Sequence, residues 1–188
     1  MDIVWFGNSC FRLQSSQATV LTDPFDPLPA AAISGVQIVT VSDRALRDRV
    51  PPVDGARVVD GPGEYEIKGV PVNGLAVSAA GATAGEPARR TFIYTVTLDG
   101  IAVCHLGRLA EPPTGPRIQE MGQPDVLFIP LGEPHGLPVP RAVQLASQLE
   151  AKLLIPMTLG GAGETAALEA FCKELGADPT SRENRLNV

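Results

Sequence analysis

Histidine occurs only twice in the 188 residues, at His105 and His135, and that count limits the chemistry open to the chain. A catalytic zinc needs about three protein ligands, preferring imidazole and thiolate, and a pair of zinc ions needs several more. The three cysteines, Cys10, Cys104 and Cys172, form neither a C-x-x-C pair nor a disulfide framework, so they read as reduced thiols. Cys104 and His105 are adjacent on a predicted strand and point to opposite faces, which keeps them from sharing an ion. The role expected of His105 is that of a hydrogen-bonded structural residue. His135, in the proline-rich stretch 132–140, fits plain surface as well as a pocket wall.

One stretch does look like the end of a strand that serves a site. In "TVSDRALRD", residues 40–48, the buried pattern of Val36, Ile38, Val39 and Val41 runs through Ser42 into a burst of polar residues. Ser42, Cys10 and Thr158 all fall near strand ends and could act as nucleophiles, but each needs a base within hydrogen-bond reach, which geometry must supply. The glycine-rich "TLGGAGET", residues 158–165, lies between a predicted strand and helix, where backbone N–H groups can cradle phosphate. It lacks G-K-[ST] and G-x-G-x-x-G, and Glu164 places a negative charge where phosphate would sit, so a nucleotide site is not expected.

Composition narrows the classes further. A net charge of −6 without a Lys/Arg-rich run excludes the electrostatic footprint of a nucleic-acid binder; the adjacent Arg89 and Arg90 sit beside a Gly/Ala/Pro loop. No run of about 18 apolar residues exists, so no membrane span is expected. The first strand starts within a few residues of Met1, with no basic leader before it. These features, with unpaired cysteines, predict a soluble cytoplasmic protein.

The elements that must carry these residues are legible. Strands are predicted at 3–6, 10–13, 19–22, 37–41, 57–59, 65–67 and 70–77 from short β-branched runs between turn residues. From Thr91 to Leu98 apolar and polar residues alternate, and Asp99-Gly100 then turns the chain into a partner strand, 101–106. After Pro124 the pattern becomes strand (125–129), helix (Ala142, Leu145, Ala146, Leu149), strand (152–155) and helix (Leu168, Phe171, Cys172, Leu175), closed by Gly176. Hairpins followed by alternating units predict an α/β (α+β) domain over 1–188, with two face-to-face sheets covered by helices.

The segments "WFGNSCFRL" (5–13), "LTDPFDP" (21–27), "DGPGEYEIKGV" (60–70), "YTVTLDGIAVCHLG" (94–107), "DVLFIPLG" (125–132) and "LLIPM" (153–157) resemble the metallo-β-lactamase-fold hydrolases, in particular their ascorbate-6-phosphate lactonase-like branch. The resemblance implies a four-layer αββα sandwich, with a further C-terminal strand that this chain lacks after "RLNV". It also implies one or two metal ions, zinc or manganese, activating a water for hydrolysis. The ligands of such enzymes come from an H-x-H-x-D-H run, an HLGD and an IPMH. Laid on this sequence, those positions hold Asp43, Ala45, Arg47 and Asp48, then Arg108 and Thr158, and the segment 77–81 lacks the His that relatives often carry there.

The sign of these replacements predicts the outcome. A guanidinium repels a dication and cannot shed its proton, while the two arginines and two aspartates cancel in charge. The expectation is a metal-free pocket in which Arg47, Arg108, Asp43 and Asp48 form an ion-pair cluster, lined also by Ser42, His105 and His135. Arg44 and Arg49 read as solvated surface. A competing reading keeps a hard cation such as Mg or Mn on Asp43, Asp48 and Asp23. The expected function is a non-catalytic binding, regulatory or assembly protein, with no cofactor, a small anionic ligand, and a homo-oligomeric state suggested by the resemblance. The alternative is a working hydrolase of a small ester, lactone or phosphorylated sugar, using an oxygen-ligated metal or a metal-free Ser/His mechanism.

Overall fold

A computed structural model describes residues 1–78, 90–113, 115–132, 135–159, 163–178 and 183–188. Four features of the sequence lie wholly or partly outside these residues: Arg89 with its loop, positions 79–81, Glu133-Pro134 beside His135, and Gly160 to Ala162 of the glycine-rich stretch.

Two six-stranded sheets form the body. The first contains β1 (Asp2–Gly7), β2 (Cys10–Gln14), β3 (Thr19–Thr22), β4 (Ile38–Thr40), β5 (Arg57–Val59) and β12 (Arg185–Asn187), in the order β12-β1-β2-β3-β4-β5. The second contains β6 (Gly63–Ile67), β7 (Val70–Ser78), β8 (Arg90–Leu98), β9 (Ile101–His105), β10 (Val126–Leu131) and β11 (Leu153–Thr158), in the order β11-β10-β9-β8-β7-β6. Helix α1 (Ala30–Ile33) lies between β3 and β4 in sequence, α2 (Gly115–Met121) between β9 and β10, α3 (Val139–Leu149) between β10 and β11, and α4 (Glu164–Glu174) between β11 and β12.

Strand alternation sorts the apolar residues into three layers of contact. Ile3, Phe11, Leu13, Val20 and Ile38 from the first sheet meet Val72, Tyr94, Val96, Val103 and Phe128 from the second, forming the core between the sheets. The outer face of the second sheet, with Cys104, Leu127 and Ile129, packs under Leu145, Leu149 and Phe171 of the helices. On the outer face of the first sheet, Cys10, Leu21, Val39 and Val41 are covered by Ile33, Leu46 and Val50. This is the αββα sandwich expected from the pattern of elements.

The predicted hairpin at Asp99-Gly100 forms, with Leu98 opposite Ile101 and Tyr94 opposite His105. Both turn residues have positive φ, 50° and 80°, as a two-residue turn of this kind requires. Gly176 follows the last residues of α4 at φ 68°, in the left-handed cap position. Local pattern did not reveal α1, α2 or β12. The polar burst after Ser42, read as an open strand end, is instead a 3₁₀ helix, Arg44–Arg49, capped by Asp43. The presumed loop 132–140 is also shorter, because Val139 and Pro140 begin α3.

Parallel pairing of β9, β10 and β11 brings their C-terminal ends to one end of the sandwich. Backbone pairing of Asp43 with Thr91 and of Ser42 with Phe92 joins the end of β4 to the same place. Ser42, Asp43, His105, Arg108 and Thr158 therefore belong to that end or its margin.

Candidate functional site

The centre of that end is a carboxylate clasp. Asp23 follows β3 at φ 40°, held by its own N–H donating to Thr40 O at 2.8 Å. Its Oδ1 accepts the Ser42 backbone N–H at 2.6 Å, and its Oδ2 accepts the Ser42 hydroxyl, also at 2.6 Å. Ser42 O in turn accepts from Phe92 N at 2.7 Å and from Thr91 Oγ1 at 3.0 Å, so the residue fastens one sheet to the other. Gly107, at φ 59°, closes over it: a Cβ there would lie 2.4 Å from Ser42 Cβ and 2.9 Å from Phe92 O. Nearby, the buried Tyr94 hydroxyl lies 3.2 Å from Val41 O and 3.3 Å from Gly61 O, adding a second tie between the sheets.

His105 sits behind this clasp. Its Nε2 is 3.0 Å from Ser9 O, so Nε2 carries the proton and donates it, leaving Nδ1 as an acceptor with no partner among the described residues. Phe128 and Phe11 flank the ring at centroid distances of 5.8 and 6.4 Å. Burial lowers its pKa below the ordinary histidine value, opposed by the Asp23 charge and the bond to Ser9. Cys104, on the opposite face of β9 as alternation requires, is pushed up to about 12 by burial. Neither residue presents a reactive form to solvent.

Two expectations are corrected here. Ser42 and His105 do not line an open pocket, being 0% and 2% exposed. The Ser42 hydroxyl has one proton and gives it to Asp23, so no Ser42–histidine pair exists to support a metal-free nucleophile.

The six motif positions divide unevenly. Asp43 is buried; its Oδ1 accepts Ala45 N at 3.0 Å, capping the 3₁₀ helix, and its Oδ2 lies 4.0 Å from Arg108 Nε. Arg47 turns the other way and donates from Nε to Asp60 Oδ2 at 2.9 Å. Asp48 and Ala45 are exposed on the 3₁₀ helix, and Thr158 is half-buried at the end of β11. The expected four-residue ion cluster is thus reduced to the pair Arg108–Asp43, because a helical turn disperses side chains that an extended run would have kept together. Arg44, Arg49 and His135 are exposed. Asp23 and Asp60 carry more of the geometry than the sequence reading assigned them; the signal for Asp23 was its place between a strand and a proline in "LTDPFDP".

The residues match the model of a beta-lactamase superfamily domain from 2 to 158. The chain belongs to the metallo-β-lactamase superfamily. A UPF0173 metal-dependent hydrolase of Methanoregula boonei is 25% identical over 181 residues, spanning 84% of this chain and 81% of that protein. A crystal structure from Thermotoga maritima, described as a Zn-dependent hydrolase of this superfamily, superposes with a TM-score of 0.76 at 28% identity, over 100% of this chain and 91% of its own. At 13% identity, an isothiocyanate hydrolase from Delia radicum gut bacteria shares the fold, with a TM-score of 0.72 over 100% of this chain and 99% of its own.

Superfamily membership raises the question of a metal, and the donors among the described residues do not converge on one. Among the described residues no three His, Cys, Asp or Glu side chains gather as a metal-holding group. Both Asp23 oxygens accept from Ser42, and Asp43 accepts the Ala45 N–H and faces the Arg108 guanidinium. Asp48 points out from the 3₁₀ helix, so the trio Asp23, Asp43 and Asp48 does not converge as an oxygen cage. No helix among the described residues is long and apolar enough to cross a membrane.

Proposed function

We propose that this member of the superfamily works without a metal, as a non-catalytic binding or regulatory protein of the cytoplasm. The observation that supports this reading is Arg108 Nε at 4.0 Å from the buried Asp43: a guanidinium, which cannot shed its charge, faces the one buried carboxylate among the motif positions. At that separation the guanidinium makes no short hydrogen bond to Asp43, and its remaining N–H groups suit a carboxylate or phosphate. The ligand in this reading is a small anion held at Arg108, with Thr158 at the margin.

The experiment is elemental analysis of protein purified without added metal, together with thermal melts in Zn, Mn, Mg and a panel of phosphorylated sugars and carboxylates. A ligand present at a hundred times its Kd stabilises by about 2.7 kcal/mol, which moves the midpoint by roughly 5 to 10 °C in a chain of this size. The expected result is metal well below one equivalent and a shift only with an anion. One equivalent of transition metal, or a shift with metal alone, defeats the proposal.

The second reading is a metal-dependent hydrolase. Its support is the likeness to a metal-dependent hydrolase of Methanoregula boonei and a Zn-dependent hydrolase of Thermotoga maritima. Metal-stimulated turnover of a lactone or phosphodiester by the purified chain would establish it.

A further inference from the structure

Among the described residues, the margin of the sandwich farthest from the β5–β6 connection is uncovered. β12 forms the edge of one sheet and β11 the edge of the other, and they lie on the same side, since β5 runs through a short turn into β6 on the opposite side. Ile3, in the core between the sheets, is directly opposite Leu186, so Leu186 and Val188 point to the inner face. They are nevertheless 37% and 39% exposed, and Trp5, on the same face of β1, is 41% exposed. Leu153 and Ile155 on the facing β11 are only partly covered. Beside them a cleft of about 480 Å³ is lined by Trp5, Glu183, Asn184 and Arg185.

The hydrogen bonds show which backbone groups are left for a partner. Trp5 N donates to Asn184 O and Val188 N to Met1 O, so Asn184, Leu186 and Val188 spend their backbone groups on β1. Arg185 and Asn187 therefore turn their N–H and C=O groups outward, along an edge that no described strand occupies. Asp2 holds their side chains in place, accepting from Asn187 Nδ2 at 2.9 Å and Arg185 Nη2 at 3.1 Å.

We propose that this edge pairs with its own copy: β12 of two chains lies antiparallel about a two-fold axis at Leu186, making one sheet continuous across a homodimer. In that register Arg185 of each copy exchanges backbone hydrogen bonds with Asn187 of the other. Leu186 meets its mate at a close, non-hydrogen-bonded position. No like charges face each other, although the chain as a whole is at −6. The inner apolar row of each copy covers that of the other, which a solvated edge cannot do.

Sedimentation velocity over a concentration series, with two variants, tests the pairing. The expected mass rises from one chain, 19.7 kDa, to twice that. Leu186→Cys forms a disulfide-linked dimer under mild oxidation, because its mate lies directly opposite, while Val188→Cys does not. Asn187→Pro removes an outward N–H and no backbone bond to β1, losing toward that strand only the side-chain bond to Asp2, so it gives a monomer with an unchanged circular-dichroism spectrum. A wild-type monomer at every concentration overturns the proposal, including one whose edge takes up a strand from a different protein. A dimer that keeps its mass in a folded Asn187→Pro, or in which Leu186→Cys fails to link, overturns it too; the cysteine experiment decides alone if the proline variant does not fold.

Discussion

At the scale of single residues, the clasp of Asp23, Ser42 and Gly107 is where small changes should have large effects. Asp23→Ala leaves the Ser42 N–H and O–H buried without their acceptor, and a loss of about 3 kcal/mol is expected in urea unfolding with an unchanged slope. Gly107→Ala forces a Cβ into Ser42 at a positive φ and should lose about 2 kcal/mol or more. His105 makes stability depend on pH. Burial lowers its pKa in the folded chain, so between the folded value and the ordinary value near 6.5 the unfolded chain binds the extra proton. Its contribution is complete above that ordinary value and declines as pH falls toward the folded one. Melts from pH 7.5 to 4.5 should show this decline, reduced in His105→Phe. The same residue shows the reach of sequence reasoning: alternation placed it opposite Cys104, but its partner, Ser9 O, lies 96 residues away and could not be read from any spacing.

At the scale of elements, the parts that were legible are those whose local signal agrees with their surroundings. The alternation from Thr91 to Leu98 and the Asp99-Gly100 turn need no distant contact to be recognised, and both appear as predicted. Gly100→Ala, at φ 80°, should lower stability by about 1 kcal/mol without changing the register of β8 and β9, measurable as a shift in urea midpoint. The 3₁₀ helix after Asp43 was not legible, because "DRALRD" has neither strand alternation nor enough length for a helical stripe. Its formation decides the fate of the motif positions: Asp43 turns inward as a cap, Arg47 reaches Asp60, and Asp48 faces water. β12 was missed for a different reason. Three exposed residues have no pattern of their own, and they become a strand only because β1 offers an edge.

At the scale of the whole molecule, the two sheets are held at the site end by polar ties, with Ser42, Thr91 and Tyr94 bridging them and Asp23 holding Ser42 in place. If Arg108 is the anchor for an anion, Arg108→Met should abolish the anion-induced thermal shift. Its own cost should be near 1 kcal/mol, since the pair with Asp43 is long and partly solvated.

Residue types and their order were enough to determine the αββα fold, the superfamily and the inventory of donors, because periodicity, turn chemistry and a count of histidines are properties of the chain itself. Which of those donors meet was decided only by tertiary structure. Hydrogen bonds between Asp23 and Ser42, and the separation of Arg47 from Arg108, depend on where strands remote in sequence end relative to one another. Those positions are set by packing between the sheets, a three-dimensional constraint that no linear spacing encodes.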